Sequence, residues 1–368
     1  MKKYSLFSIV LLMTGILFIT SCQKDEITQP VTDEILPENF KVDLPVSLSY
    51  ESLSLKSANV DTLKGNEVYQ HLGNFIHIGE KGAENIQDVI RTIRVFHINK
   101  PISFSYESDD DGRTKNLVVT RGQEYDGINW EFKAAITDAE SEGNADGGKA
   151  IQVFWNRNPV KGIALMKPYN IDRRENIDNV DAMFRVDYSE AREHGYDAEM
   201  IVYAAYLKVA DPLDNPYSMS SMKMFAGRKG NITDVYGNSD HPNAILLAGN
   251  AGFDWAFIAS GDNNTNLGVA EVGLPPTNLD EPSRRVLLGY YSLQNVLTRE
   301  IYAVWPDIDE ESVQAYLYNT SAPGYFDTEG FVSGGAAPGA GYELIEPRLK
   351  RLSPYNPKEI TTLQIQFQ

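Results

Sequence analysis

The chain has 368 residues, a formal net charge of −18 and a single cysteine. That acidity excludes nucleic acid as a partner and disfavours anionic lipid headgroups, since both are held by clustered Lys and Arg. One thiol excludes any disulfide or thiolate cluster, so an exported form of this chain must be held by its core alone.

The first element is a leader. Lys2 and Lys3 precede an apolar run over residues 6–19, too short to span a bilayer, and Ile19-Thr20-Ser21-Cys22 closes it. This stretch resembles the bacterial lipoprotein signal family, in which an aliphatic residue, two small residues and a cysteine are read by processing enzymes. The resemblance implies that residues 1–21 are a signal peptide, and that Cys22 becomes the lipidated N-terminus, carrying acyl chains such as palmitate. Losing Lys2 and Lys3 takes the net charge from −18 to −20. Behind the cysteine, Gln23-Lys24-Asp25-Glu26 resembles the export signal of Bacteroidota surface lipoproteins. By that resemblance the protein is anchored in the outer membrane and faces outward. The alternative for these four residues is the start of a solvated linker.

Residues 22–60 read as a tether, with Pro30, Pro37, Pro45 and scattered Ser and acidic residues but no sustained periodicity. Weak alternation over 42–55 allows an edge strand there. Asp61-Thr62-Leu63 matches an O-glycosylation pattern of periplasmic Bacteroidota proteins, which makes Thr62 a candidate for modification. The remainder, 61–368, reads as a single β-rich globular domain with an integral helical C-terminal part and a sub-boundary near 275–280.

Within that domain, Ile86, Val89, Ile90, Ile93 and Phe96 recur at helical steps and predict an amphipathic helix over 83–96. Strand-like runs follow at 102–106, 117–120, 128–136, 150–155, 162–166, 182–188, 198–209, 219–225, 244–248, 253–259 and 267–272. Short Gly-, Asn- and Asp-rich connections separate them, Gly237-Asn238 among these, and no helix-length crossover intervenes. The fold class is therefore mainly β (α+β), a large curved antiparallel sheet or a barrel with a few packed helices.

The run 282–305 then predicts a helix that is apolar on nearly every side, lying in the concave face of the sheet. Arg284, Arg285, Gln294, Arg299 and Glu300 argue against a membrane span. A short helix over 309–318, a small-residue loop over 323–341 and a closing strand over 361–367 complete the reading.

Signatures of chemistry are sparse. His71, His77, His97, His194 and His241 show no metal-ligand spacing, and no nucleophile elbow, phosphate loop or dinucleotide fingerprint occurs. Asp109-Asp110-Asp111 and Asp262-Asn263-Asn264-Thr265-Asn266 offer oxygen ligands, but read as hairpin turns because the calcium-loop glycine and glutamate are missing. No metal or cofactor is expected. The remaining lead is aromatic: Trp130, Trp155 and Trp255 lie in strands, as core residues or as a stacking platform for a glycan or small molecule.

Three readings of function remain open. The first is a non-catalytic surface binding protein for a small molecule or glycan. The second is a structural or assembly subunit docking on an outer-membrane protein, and the third a polymer hydrolase using paired carboxylates.

Overall fold

The computed structural model describes residues 35–50, 65–94, 98, 100–211, 218–249 and 251–368. Cys22, Gln23, Lys24, Asp25, Glu26 and Thr62 lie outside the described residues. Alternating side chains build one antiparallel sheet of thirteen strands, hydrogen-bonded in the order in which they occur in the chain. They are β1 (Ile102–Glu107), β2 (Thr114–Tyr125), β3 (Ile128–Asp138), β4 (Lys149–Arg157), β5 (Val160–Met166), β6 (Met183–Ser189) and β7 (Ala198–Ala205). Then come β8 (Ser221–Lys229), β9 (Ile232–Ile245), β10 (Ala251–Asp262), β11 (Leu267–Gly273), β12 (Gly324–Asp327) and β13 (Gly330–Gly334). The first and last strands stand at opposite edges, so the sheet is open and the barrel alternative does not hold.

Several strand expectations need correction, among them the run 244–248, of which only 244–245 are strand, at the end of β9. Gly237-Asn238, read as a turn, lies inside β9, where a Cβ on Gly237 would stand 2.5 Å from the Lys223 carbonyl oxygen. That glycine marks a close backbone approach, not a break. Segments β12 and β13 arise within the expected loop 323–341. The expected closing strand 361–367 joins no sheet.

A 30-residue helix, α1 (Gly65–Arg94), packs on one face of the sheet. It begins well before the predicted 83–96. Val68, Leu72, Phe75, Ile76, Ile86, Ile90 and Ile93 form its buried stripe at three- and four-residue steps, each contributing roughly 1.5–3 kcal/mol when fully buried. The helix runs across the strands: Tyr69 meets Phe326 of β12, Phe75 meets Trp255 of β10, Gly79 meets Met222 of β8 and Gly82 meets Phe184 of β6. Thirteen residues of helix rise roughly 20 Å, whereas six strand spacings cover roughly 29 Å. A sheet that bends around the helix accounts for the difference. Thus α1 fills the concave face, the place expected for the run 282–305.

Residues 35–50, assigned by sequence to the tether, are part of this core. Ile35, Leu36, Phe40, Val42, Leu44 and Leu48 are buried against the same face. Gln87 of α1 pins them: its amide accepts from Phe40 N and donates to Glu38 O. The segment lacks a detectable period because it crosses the strands as irregular chain and turns at 45–49, so its burial follows no regular helical or strand face.

The opposite face of the sheet is crossed by residues 345–368. Leu349 and Leu352 cover Ile258 and Val269, and Tyr355 N donates to Asn238 Oδ1 at 2.7 Å. The short helix α2 is Pro168–Ile171, and a second short helix in this strap, Pro357–Thr361, lies over β8 and β9. Farther on, Leu363, Ile365 and Phe367 pack against Trp130, Phe154 and Leu165, and Gln368 N donates to Gln152 at 2.9 Å.

Candidate functional site

The run 282–305 is two elements, not one helix. Residues Arg285–Tyr290 form a π-helical turn that buries Leu287 and Leu288 on the outer face. Tyr291 breaks the turn, Ser292 caps the next helix by accepting from Asn295 N, and α3 (Leu293–Val304) buries Leu293, Val296, Leu297 and Ile301 on the inner side. Its remaining apolar residues have no core to enter. Tyr290, Tyr302, Val304 and Trp305 are exposed at 58%, 38%, 38% and 49%.

Just past α3, Trp305 N donates to Ile301 O and Pro306 prevents the helix from continuing. Asp309 then caps α4 (Glu310–Tyr316), accepting from Ser312 N at 2.8 Å and Ser312 Oγ at 2.7 Å. The kink leaves an open groove of about 640 Å³ between the two helices. Ile301, Val304 and Trp305 form one wall, Pro306, Ile308, Val313 and Tyr316 the other, and Leu247 from the β9–β10 connection closes one end. Apart from the indole nitrogen of Trp305 and the hydroxyl of Tyr316, only Asp307 and Ser312 bring polar side chains to it. Toward the start of α3, the Arg299 guanidinium lies 4.4 Å from the Tyr290 ring and donates to Tyr290 O.

The three tryptophans read from the strands are elsewhere and buried. Trp155 and Trp255 face the inner core and Trp130 the outer cluster under the strap. Trp130 donates to Tyr125 O and Trp155 to Ile35 O. Buried on two faces, they form no stacking platform. The half-exposed indole is Trp305, which sequence reasoning absorbed into an all-apolar helix. Its signal was its position beside Pro306, where a helix ends and its last side chains leave the core.

Among the described residues, no three His, Cys, Asp or Glu side chains gather into a group that could hold a metal. Asp262 and Asn263–Asn266 make a hairpin turn, Asp262 Oδ1 accepting from Asn264 N. His71 lies in an aromatic cluster with Phe75 and Trp255, where burial lowers its pKa to about 4 and keeps it neutral.

Two carboxylates pair across β9 and β10. Asp240 and Asp254 are register partners, both buried, each with one oxygen lacking a hydrogen bond. Burial, then the charge of Asp240, pushes Asp254 well above the ordinary carboxylate range, against the Asn238 amide that bonds it. Such a raised carboxyl supports folding fully below the ordinary value of 3.8 and loses that support as pH rises through its folded value. Asp254→Asn, neutral and of equal shape, is therefore expected to raise the melting temperature by a few degrees at about pH 8 and to change it little at about pH 4. Equal shifts at both pH values, read by calorimetry, would contradict this account. Lying between the sheet and the strap, the pair is not presented in a cleft as a glycosidase pair would be.

A polar cavity of about 230 Å³ sits at one end of the sheet, lined in part by Asp146, Lys167, Asn170 and Arg173. Its charges already satisfy one another. Lys167 pairs with Asp146 at 2.7 Å, and Arg173 donates to Asp138 at 3.1 Å and to Asn170 at 3.0 Å. Lys115, 2% exposed, pairs with Asp111 at 2.9 Å and donates to Asn170 O. This network clasps the β1–β2 turn, the end of β3 and α2. The apolar groove, by contrast, leaves its surface open.

No family of known proteins, no curated protein and no solved structure matches this chain.

Proposed function

We propose that this chain is an outer-membrane lipoprotein, anchored through Cys22 and displayed at the cell surface, that binds a small apolar molecule without transforming it. The observation carrying the binding role is the open groove beside Trp305. Its volume of about 640 Å³ falls within the range of roughly 300–1,000 Å³ typical of small-molecule sites, and its lining is apolar with two polar side chains. A glycan site would need a fan of hydrogen-bonding side chains beside the rings, which this lining lacks. A docking face for a large partner is broad and flat, whereas this surface is concave. The anchor rests on Ile19-Thr20-Ser21-Cys22 and the export role on Gln23 to Glu26.

Trp305 provides the assay, since it alone of the four tryptophans is exposed. Titration with an uncharged naphthyl probe is expected to quench its emission saturably. Trp305→Ala should weaken probe binding roughly tenfold through lost apolar contact while leaving the melting temperature unchanged. Undiminished binding to that variant would remove the groove from the reading. For the anchor, Cys22→Ala should move the protein from the membrane fraction to the soluble fraction; retention in the membrane would refute lipidation.

A further inference from the structure

Resting on the groove as a small-molecule site, we propose that its ligand class is the organic cation, an apolar body joined to an amine or quaternary ammonium head. The first observation is charge. Between Arg299 and Arg348 there is no Lys, Arg or His, while Glu300, Asp307, Asp309, Glu310, Glu311, Asp327, Glu329, Glu343 and Glu346 all fall in that stretch. One of the nine, Asp307, lines the groove, and Asp309, Glu310 and Glu311 stand at the start of α4, whose Ser312, Val313 and Tyr316 line it. No basic side chain lines the groove.

The second observation is the aromatic lining. Trp305 and Tyr316 bring ring surfaces to the same space as the Asp307 carboxylate. A ring face carries partial negative charge and attracts a cation, most strongly where water is thinned by apolar neighbours. An anionic head would meet the Asp307 carboxylate and no basic lining side chain. The apolar walls would take the body of the ligand, and Asp307 with the rings its head. The volume suits one small molecule and is too small for a folded partner.

Three probes sharing one naphthyl body and bearing a trimethylammonium, an uncharged or a sulfonate head separate the claims. Each is titrated into the full-length lipid-anchored protein in detergent, with Trp305 emission as readout, at low salt and at about 0.5 M salt. The trimethylammonium probe is expected to bind roughly tenfold more tightly than the uncharged one and the sulfonate more weakly than either. High salt should shrink the order, because the Debye length falls to a few ångströms. Asp307→Asn with Glu311→Gln, both exposed positions, should shrink the advantage of the cationic probe over the uncharged one, both measured on the same variant. If cationic and uncharged probes bind equally well to the wild type, the cation proposal is wrong and the apolar site stands. If none of the three binds, the apolar site itself is refuted.

Discussion

Replacing Gly273 with alanine is expected to lower the melting temperature by roughly 6–12 °C, from a loss of about 3 kcal/mol, and to abolish probe binding in the groove. Gly273 ends β11 and bridges to Ser292, the residue that caps α3. A Cβ there would stand 1.9 Å from the Leu287 carbonyl oxygen and 3.0 Å from that of Tyr291. Both are backbone atoms, so no rotamer change relieves the clash. The π-helical turn would have to move, and α3 with Trp305 would move with it. Leu274 N, which donates to Tyr291 O at 2.8 Å, would lose its alignment too. Thermal unfolding of the variant decides the matter: a midpoint equal to that of the wild type would show that the turn yields without cost. Retained binding despite a lowered midpoint would show that the groove does not depend on this junction.

Asp138→Ala is expected to be still more costly, by about 3–5 kcal/mol, the range for removing one partner from a buried ion pair. Asp138 is fully buried at the end of β3 and accepts from Arg113 Nε at 2.7 Å and Arg173 Nε at 3.1 Å, with Lys115 at 3.6 Å. Burial opposes its ionisation, but Arg113 and then the charges of Lys115 and Arg173 hold its carboxyl below the ordinary value of 3.8. For such a lowered carboxyl the stabilisation is present above the ordinary value and lost as pH falls through the folded one. The cost of Asp138→Ala should therefore be full at neutral pH and shrink in strong acid. Urea unfolding at neutral pH and at about pH 3 would test this. A cost independent of pH would assign the effect to packing alone.

Much of the sheet was legible because one period governs it. In β3 to β8 the alternation that predicts a strand is the alternation that buries Val153 against one face and Phe154 against the other. Legibility failed where tertiary approach replaced local pattern. At Gly237 a glycine that resembles a turn is a strand residue beneath a neighbouring backbone. In β12 and β13 the small residues that resemble a loop follow Tyr325 and Phe326 into the sheet. Residues 35–50 and 345–368 cross the strands as irregular chain, turns and short helices, so no sustained helical or two-residue periodicity marks their burial. The groove was hidden for a related reason. The residues of 282–305 are apolar on every side, yet the turn at Tyr290-Tyr291 divides them among an outer cluster, an inner core and the surface.

The uninterrupted strand order bears on how the chain is assembled. As synthesis proceeds, α1 and residues 35–50 emerge ahead of every strand that will cover them, and each later strand pairs with the strand made before it, β12 after the intervening turn and helices of 285–316. Growth of this kind keeps contacts local and limits the time an unpaired edge is exposed. Residues 345–368 are the exception. They reach back from β11 to Gln152 of β4 and so fasten early strands to late ones, which makes closure of the outer face follow the synthesis of all thirteen strands.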